Sequence, residues 1–275
     1  RHWLNVGDYA EFRLCGSLTT DYSLASRTLV LDLVERRWSA ELLDAIDIRY
    51  ELLAELVPAG THVGVLHDEA AAATGLPTGL PIIRGGQDHV CAALALGVSG
   101  PGVILDSIGT AEAFFLARRE PDMTGRLWPD ELNQGVHVVP GLTYVMTGTG
   151  DGAGRIDAHR AELNVEFDDY LAAAEQPGPE QTMIESLAID GQALFEKMVW
   201  AADPDRSSRI EHIATGGGTR IQWLMDRKQL IGGRPIEVPD VAEATCLGAA
   251  LLAGAGVGVY SSIAAATAEA ATKSS

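Results

Sequence analysis

Cysteine is scarce in this sequence, and the three that occur, Cys15, Cys91 and Cys246, lie far apart. Isolated cysteines in odd number favour neither a disulfide framework nor a cysteine metal site, and they are typical of a reducing compartment. Long apolar runs are also lacking, because the longest, residues 246–257, is too short to cross a bilayer. The first residues show no signal-peptide pattern. These absences predict a soluble, cytoplasmic protein.

Positive charge is in short supply as well. The sequence has 20 Lys and Arg residues against 38 Asp and Glu residues, a formal net charge of −18. Nucleic acids and anionic membranes are bound by basic surfaces, so we expect neither as a partner. Any phosphate must be bound locally, by backbone N–H groups, helix termini and a metal ion. With 275 residues, 47% of them apolar, the chain can form one large globular domain or two ordinary ones.

A glycine turn leads from a predicted strand, residues 81–84, into a predicted apolar helix that begins near Asp88. Gly85 and Gly86 in this turn are expected to adopt backbone angles closed to other residues and to leave room for a ligand. The positive end of the helix favours an ionised Asp88, the form that a general base requires. The alternative is that Asp88 is only the N-cap of the helix and that His89 is an exposed residue in its first turn.

A β-hairpin is predicted from residues 103–107 and 113–116. Its turn contains Gly109 and Thr110, whose N–H groups and hydroxyl could receive a phosphate; the alternative is an ordinary turn. Four glycines alternate farther along, in residues 148–154. Glycine at this density indicates either a flexible loop or a close approach of the backbone to a ligand.

A run of three glycines, residues 216–218, lies between a predicted strand, residues 211–214, and a predicted helix, residues 220–230. Backbone amides at such a turn can bind an anion or a nucleotide, although a purely structural turn is the alternative. The run matches neither the dinucleotide fingerprint nor the Walker loop. A strand at residues 235–238 and a helix at residues 241–255 are predicted next. This alternation indicates an α/β unit.

Three other predictions concern the connections between elements. Ser39 is expected to cap a helix that continues to residue 55. Residues 137–139 are expected to form a strand. Residues 175–181, rich in Pro, Gly, Glu and Gln, predict a junction between helices at residues 167–174 and 182–201.

Taken together, these segments resemble the FGGY carbohydrate kinases, members of the actin-like, ribonuclease-H-like ATPase superfamily. Residues 79–94 are similar to the family segment that carries the catalytic aspartate, and residues 101–113 are similar to its second phosphate motif. The adenosine motif, the last helix and the late part of the first domain also have counterparts. The segments concerned are residues 20–28, 215–218, 235–239 and 243–250, together with Trp223. The resemblance therefore covers nearly all of the chain.

The resemblance implies an α/β fold of the ribonuclease-H-like (actin-like ATPase) type. Residues 1–86 would be the C-terminal portion of the family's N-terminal domain, and residues 87–275 its C-terminal domain. The Asp-x-Gly-Thr phosphate and magnesium motif of the family's first strands is not found in this sequence. A family segment with the pattern Gly-Leu-x-x-x-His is expected to be missing near residues 178–181. A homodimer is an assembly that the resemblance allows.

The implied activity is ATP-dependent phosphorylation of a ketose or polyol. Asp88 would be the general base that takes a proton from a sugar hydroxyl as it attacks the γ-phosphate. The other residues implied are Gln87 and His89 for the sugar, Gly109 and Thr110 for the β- and γ-phosphates, and Gly217 and Gly218 for the adenosine. ATP and Mg²⁺ would be the cofactors, with no residue assigned as a metal ligand. The alternative is a truncated, non-catalytic module of the same fold that binds a nucleotide or sugar.

Overall fold

The computed structural model describes residues 2–127, 131–203 and 209–273. Residue 1 and residues 274–275, at the outer ends of the two predicted domains, lie outside the described residues. The helices are α1 (Val6–Cys15), α2 (Tyr22–Ser26), α3 (Ala40–Ala45), α4 (Asp68–Thr74), α5 (Asp88–Ala95), α6 (Gly154–Leu163), α7 (Phe167–Ala174), α8 (Pro179–Ala202), α9 (Gln222–Gly232), α10 (Ala244–Gly256) and α11 (Ile263–Lys273), with 3₁₀ turns at Tyr50–Leu52 and Gly217–Arg220. The strands are β1 (Thr19–Asp21), β2 (Leu31–Asp32), β3 (Arg37–Trp38), β4 (Glu55–Val57), β5 (His62–Val65), β6 (Pro81–Ile83), β7 (Val103–Ile108), β8 (Glu112–Arg118), β9 (Asn133–Val136), β10 (Thr143–Thr149) and β11 (Glu211–Thr215).

A five-stranded sheet forms the centre of the larger part of the molecule. Its strands lie in the order β11-β7-β8-β10-β9; β11 runs parallel to β7, and the other neighbours are antiparallel. Alternate residues of a strand point to opposite faces, so both faces carry apolar side chains. Leu105 and Phe115 pack with α5 and α10 on one face. Ile104 and Phe114 pack with α8 on the other. The result is a three-layer arrangement with the sheet in the middle.

Helices α5 and α10 approach each other closely enough for their backbones to touch. A Cβ atom added at Gly248 would lie 1.9 Å from the carbonyl oxygen of Cys91. Apolar residues of both helices, including Leu94 and Leu251, lie in the same buried cluster. A small residue at position 248 is therefore what allows α10 to cover α5.

The residues before α5 form smaller sheets. Strand β1 pairs with β4 in parallel, and β5 pairs with β6 in an antiparallel ladder. The backbone N–H of Val136, in β9, donates to Ser26 Oγ at 2.9 Å. This bond joins the end of α2 to the edge strand of the central sheet.

The helix predicted from Ser39 to residue 55 is much shorter than expected. Ser39 is its N-cap, as predicted, because its hydroxyl accepts a hydrogen bond from the Leu42 N–H at 3.3 Å. The helix ends at Ala45, and Asp47 then adopts a left-handed backbone conformation with φ +54°. The rest of the segment is a 3₁₀ turn and strand β4, which pairs with β1. Pairing with a distant strand has overridden the local helical pattern.

Two predicted strands are also displaced or reduced. The strand expected at residues 137–139 lies earlier, as β9, because the ladder with β10 ends at the pair Val136 and Thr143. The strand expected at residues 235–238 is reduced to one parallel bridge between Glu237 and Ile213. The remaining predicted elements that lead to the site are present, and the hairpin of β7 and β8 is confirmed.

Candidate functional site

Gly85 and Gly86 lie between β6 and α5. The structural need for glycine there differs from the one expected from the sequence. Gly85 and Gly86 do not have positive φ angles. A Cβ atom on Gly86 would lie 2.4 Å from Val138 Cγ1 and 3.0 Å from Ser23 Oγ, whereas one on Gly85 would meet open space. The expectation of unusual backbone angles was wrong. Gly86 is required because the chain passes close to its neighbours at this point.

The N-cap of α5 is Gln87, so the alternative that Asp88 is the cap was wrong. The Gln87 side-chain oxygen accepts a hydrogen bond from the Val90 N–H at 3.0 Å. The backbone N–H of Gln87 in turn donates to Ser23 Oγ at 2.8 Å. With the cap position filled, Asp88 is the first residue of the helix, and its carboxylate is not needed to end the hydrogen-bond ladder.

The Asp88 carboxylate is exposed and ionised. Its side chain is 66% exposed, and its Oδ1 atom lies 3.1 Å from His89 Nδ1 and accepts a hydrogen bond from the His89 N–H at 2.8 Å. The hydrogen bond from the His89 ring, against a smaller opposing effect of burial, holds the pKa of Asp88 below its ordinary value. Gln87 Nε2 also donates to this oxygen. At neutral pH Asp88 is therefore an unprotonated acceptor facing solvent, with Gln87 and His89 beside it.

Arg84, immediately before the glycine turn, is held by buried acids. Its guanidinium donates to Asp8 Oδ1 at 2.9 Å, to the Thr19 carbonyl oxygen at 2.6 Å and to Glu11. Arg84 and Asp8 are 2% and 1% exposed. Burial raises the pKa of Glu11, against the attraction of Arg84. This ion-pair group connects α1, β1 and the end of β6, and so fixes the strand from which Asp88 is presented.

A second group of predicted site residues lines a cleft of about 410 Å³. The cleft lies between the turn of the β7–β8 hairpin and the three-glycine run, and Gly109, Thr110, Gly217 and Gly218 all contribute to it. Its volume lies within the range of about 300–1,000 Å³ that is usual for ligand pockets. Gly154, one of the alternating glycines, also lines it, and the lining is completed by residues that the sequence did not indicate, namely Ala153, Asp157, Phe167 and Ile221.

The alternating glycines of residues 148–154 pack against the hairpin turn. The Gly152 N–H donates to the Thr110 carbonyl oxygen at 2.9 Å, and the Ala153 N–H donates to the Gly109 carbonyl oxygen at 2.9 Å. A Cβ atom on Gly152 would lie 2.5 Å from the carbonyl carbon of Ala111. The glycines thus permit a close approach of the backbone, and what this backbone approaches is the turn of the β7–β8 hairpin. They place Gly154 in the cleft, which the glycine pattern could have indicated.

The two walls of the cleft touch at Gly218. A Cβ atom there would lie 2.3 Å from Ile108 Cγ2, in the strand that leads to the hairpin turn. At Gly217 an added Cβ atom would meet open space. We expect Gly218→Ala to lower the free energy of unfolding by about 1–3 kcal/mol, because the walls must move apart.

Urea denaturation of Gly218→Ala and of its neighbour Gly217→Ala measures this effect. Gly217→Ala is the matched control and should change the free energy of unfolding by no more than about 0.5 kcal/mol. Equal stability of the two variants would contradict the contact between Gly218 and Ile108.

The predicted site residues therefore form two groups. Gly109, Thr110, Gly217 and Gly218 share the cleft, whereas Gln87, Asp88 and His89 form a separate group at the start of α5. Helix α10 borders this second group, since the Thr245 hydroxyl donates to the Asp88 carbonyl oxygen at 3.4 Å. Among the described residues, no group of three or more His, Cys, Asp or Glu side chains is arranged to hold a metal ion. The described helices likewise include none that is long and apolar enough to span a bilayer.

Comparison with known proteins links this arrangement to one family. Residues 1–95 match the model of the FGGY family of carbohydrate kinases, N-terminal domain. The autoinducer-2 kinase of Escherichia coli (strain K12) is 26% identical over an alignment that covers 94% of this chain and 58% of the relative. The chain thus spans somewhat more than half the length of the curated relatives that it matches.

Solved structures share the fold. The ligand-bound xylulose kinase from Lactobacillus acidophilus matches with a TM-score of 0.84 at 18% identity, covering 96% of this chain and 61% of that one. The Plasmodium falciparum glycerol kinase with ADP matches with a TM-score of 0.80 at 17% identity, covering 97% and 60%. The expected ribonuclease-H-like (actin-like ATPase) fold is confirmed, and residues 1–95 of the chain are similar to the N-terminal domain of the FGGY carbohydrate kinases.

Proposed function

We propose that this chain belongs to an enzyme that transfers the γ-phosphate of ATP to a hydroxyl group of a ketose or polyol. The observation that carries the proposal is the single cleft lined by Gly109, Thr110, Gly217 and Gly218, which come from distant parts of the sequence. In a protein with a net charge of −18, a nucleotide is best bound by such backbone-lined surfaces. The names of the relatives, kinases of autoinducer-2, xylulose and glycerol, support a small polyhydroxylated substrate.

In this proposal the cleft binds the nucleotide. Gly109 and Thr110, in the hairpin turn, hold the β- and γ-phosphates through the Thr110 N–H group and hydroxyl. The Gly109 N–H donates to the Ala111 carbonyl oxygen at 2.8 Å and shapes the turn. Gly217 and Gly218 lie at the opposite wall and accept the adenosine. An added Cβ atom at Gly217 would meet open space, so the backbone there leaves room for a flat ring. Phosphoryl transfer depends mainly on positioning and charge stabilisation, which such a cleft can supply.

Asp88 acts as the general base. Its carboxylate takes the proton from the attacking sugar hydroxyl; the new bond joins the sugar oxygen to the γ-phosphorus, and the bond between that phosphorus and the oxygen of ADP breaks. The lowered pKa of Asp88 keeps it unprotonated at neutral pH. Gln87 and His89, which contact its carboxylate, are the neighbours that we assign to the sugar hydroxyls.

Mg²⁺ would neutralise charge on the transferring phosphates. The donor set does not suit a resident ion, because the described part of the chain has no cluster of three or more potential ligands. We therefore assign no residue of this chain as a magnesium ligand, and we expect Mg²⁺ to arrive bound to ATP. Two other expectations from the sequence, a cytoplasmic location and a homodimer, stay predictions.

Phosphoryl transfer from radiolabelled ATP to a panel of ketoses and polyols tests this function in the full-length gene product. We expect a labelled sugar phosphate with at least one member of the panel, and none when the sugar is omitted. The rival function is a nucleotide- or sugar-binding module without catalysis. It would be supported by ATP binding without transfer to any acceptor, and this result would contradict a kinase.

A further inference from the structure

Four buried polar side chains lie on the elements that flank the cleft and are not used by the proposed chemistry. Asp106 in β7, Glu112 in β8, His212 in β11 and Lys228 in α9 are each at most 6% exposed. Lys228 Nζ donates to Asp106 Oδ2 at 2.8 Å and to Glu112, and His212 Nε2 lies 3.3 Å from the same Asp106 oxygen. We call these residues the buried ionic cluster.

The cluster connects the two walls of the cleft. Asp106 lies just before the hairpin turn and Glu112 just after it, so Lys228 contacts both strands that carry Gly109 and Thr110. Lys228 itself belongs to α9, which follows the three-glycine run. One ammonium group therefore fixes the position of the helix behind Gly217 and Gly218 relative to the turn.

The surrounding structure makes room for this contact. Gly191 of α8 faces the cluster, and a Cβ atom there would lie 2.6 Å from both Glu112 Oε1 and Lys228 Nζ. Phe195 of the same helix stacks on the His212 ring, with 4.2 Å between centroids. Burying charges costs several kcal/mol per ion, so a buried ion pair adds little to net stability; its best-attested use is to specify geometry.

We propose that Lys228 is a positioning residue, which holds the hairpin turn and the three-glycine run at the separation that a nucleotide requires, through Asp106 and Glu112. The inference rests on the proposed function, because it assumes that the cleft binds a nucleotide. It adds residues that do not touch the nucleotide but determine the shape of its site.

Because Glu112 can gain and lose a proton, the charge of the cluster depends on pH, and nucleotide affinity should depend on pH with it. Burial, and then the charge of Asp106, raise the pKa of Glu112 to about 7. Asp106 and Glu112 outweigh the effect of burial on Lys228 and hold its pKa above the ordinary value, while burial lowers the pKa of His212. Arg234 also faces His212 and lowers the pKa of His212 further.

Below pH about 7 the cluster therefore carries one ammonium and one carboxylate, and its net charge is zero. Above this pH, Glu112 loses its proton and a buried negative charge appears two residues from Thr110. That charge repels a bound phosphate. Nucleotide affinity should accordingly fall as pH rises through about 7.

Calorimetric titration of the full-length gene product with ADP and Mg²⁺, from pH about 6 to about 8.5, tests the proposal in Glu112→Gln. The glutamine oxygen can still accept from Lys228, but the proton can no longer be lost. We expect wild-type affinity to fall at least about threefold more than that of Glu112→Gln over this range. The difference between the two proteins removes the contribution of the phosphates' own titration.

A second experiment compares Lys228→Met with Lys197→Met, a control at an exposed position of α8. We expect ADP binding at pH about 7 to weaken about tenfold in the first variant and to be unchanged in the second. If Lys228→Met does not fold, the pH profile of Glu112→Gln decides alone. Parallel pH profiles overturn the inference, as does unchanged affinity in a folded Lys228→Met. Absence of nucleotide binding by the wild type would instead overturn the proposed function.

Discussion

Replacing Asp88 with Asn is expected to reduce sugar phosphorylation by about 100-fold or more. The amide is close in shape to the carboxylate and can still accept the His89 N–H, but it cannot take a proton from the attacking hydroxyl. Because the N-cap is Gln87, the substitution leaves the helix start intact. Turnover with a saturating sugar, measured by coupled detection of ADP, gives the result directly.

Asp68→Asn provides a matched control. Asp68 is also the first residue of a helix, α4, and is exposed. Its substitution should leave turnover within about twofold of wild type, since the change in charge is the same but no proton transfer is lost. If Asp88→Asn retained the activity of this control, Asp88 would not be the base.

Replacing Arg84 with Met is expected to lower the free energy of unfolding by about 3–5 kcal/mol. The guanidinium is the partner of the buried Asp8 carboxylate and of Glu11, and its removal leaves both acids without compensation. The change also releases the strand end that carries Asp88. Urea unfolding, followed by far-UV circular dichroism at pH about 7, measures the loss.

Arg37→Met is the control for this effect. Arg37 is exposed, so the same substitution there should change the free energy of unfolding by no more than about 0.5 kcal/mol. A loss in Arg84→Met as small as that of the control would show that the buried ion pairs do not hold β6 to α1.

Elements with strong local signals could be predicted from the sequence. Helix α7 occupies the predicted residues 167–174, and the hairpin of β7 and β8 lies where the glycine turn indicated. The helix expected up to residue 55 ends at Ala45, and the chain then passes through a 3₁₀ turn into β4, which begins at Glu55 and pairs with β1. The register of β9 likewise depends on its partner β10. Contacts between distant strands are invisible to a local pattern.

The site was also predictable only in part, because local patterns indicate single residues but not the contacts between distant ones. Glycine turns indicated Gly109, Thr110, Gly217 and Gly218, and the structure brings these four into one cleft. Nothing local distinguished Lys228, because lysine in a helix is ordinarily exposed, and its partners are more than a hundred residues away in the sequence. A buried ion pair between residues distant in the sequence can be identified only from the three-dimensional structure.

In the proposed function the nucleotide binds in the cleft and Asp88 accepts the proton, so the two roles belong to separate groups of residues. Calorimetric titration with ADP and Mg²⁺ of the full-length wild type, Asp88→Asn and Gly218→Ala tests this separation directly. We expect one binding site in the wild type, affinity within about threefold of it in Asp88→Asn, and binding about tenfold weaker in Gly218→Ala. Wild-type affinity in Gly218→Ala, or no binding by the wild type, would contradict the assignment of the cleft to the nucleotide.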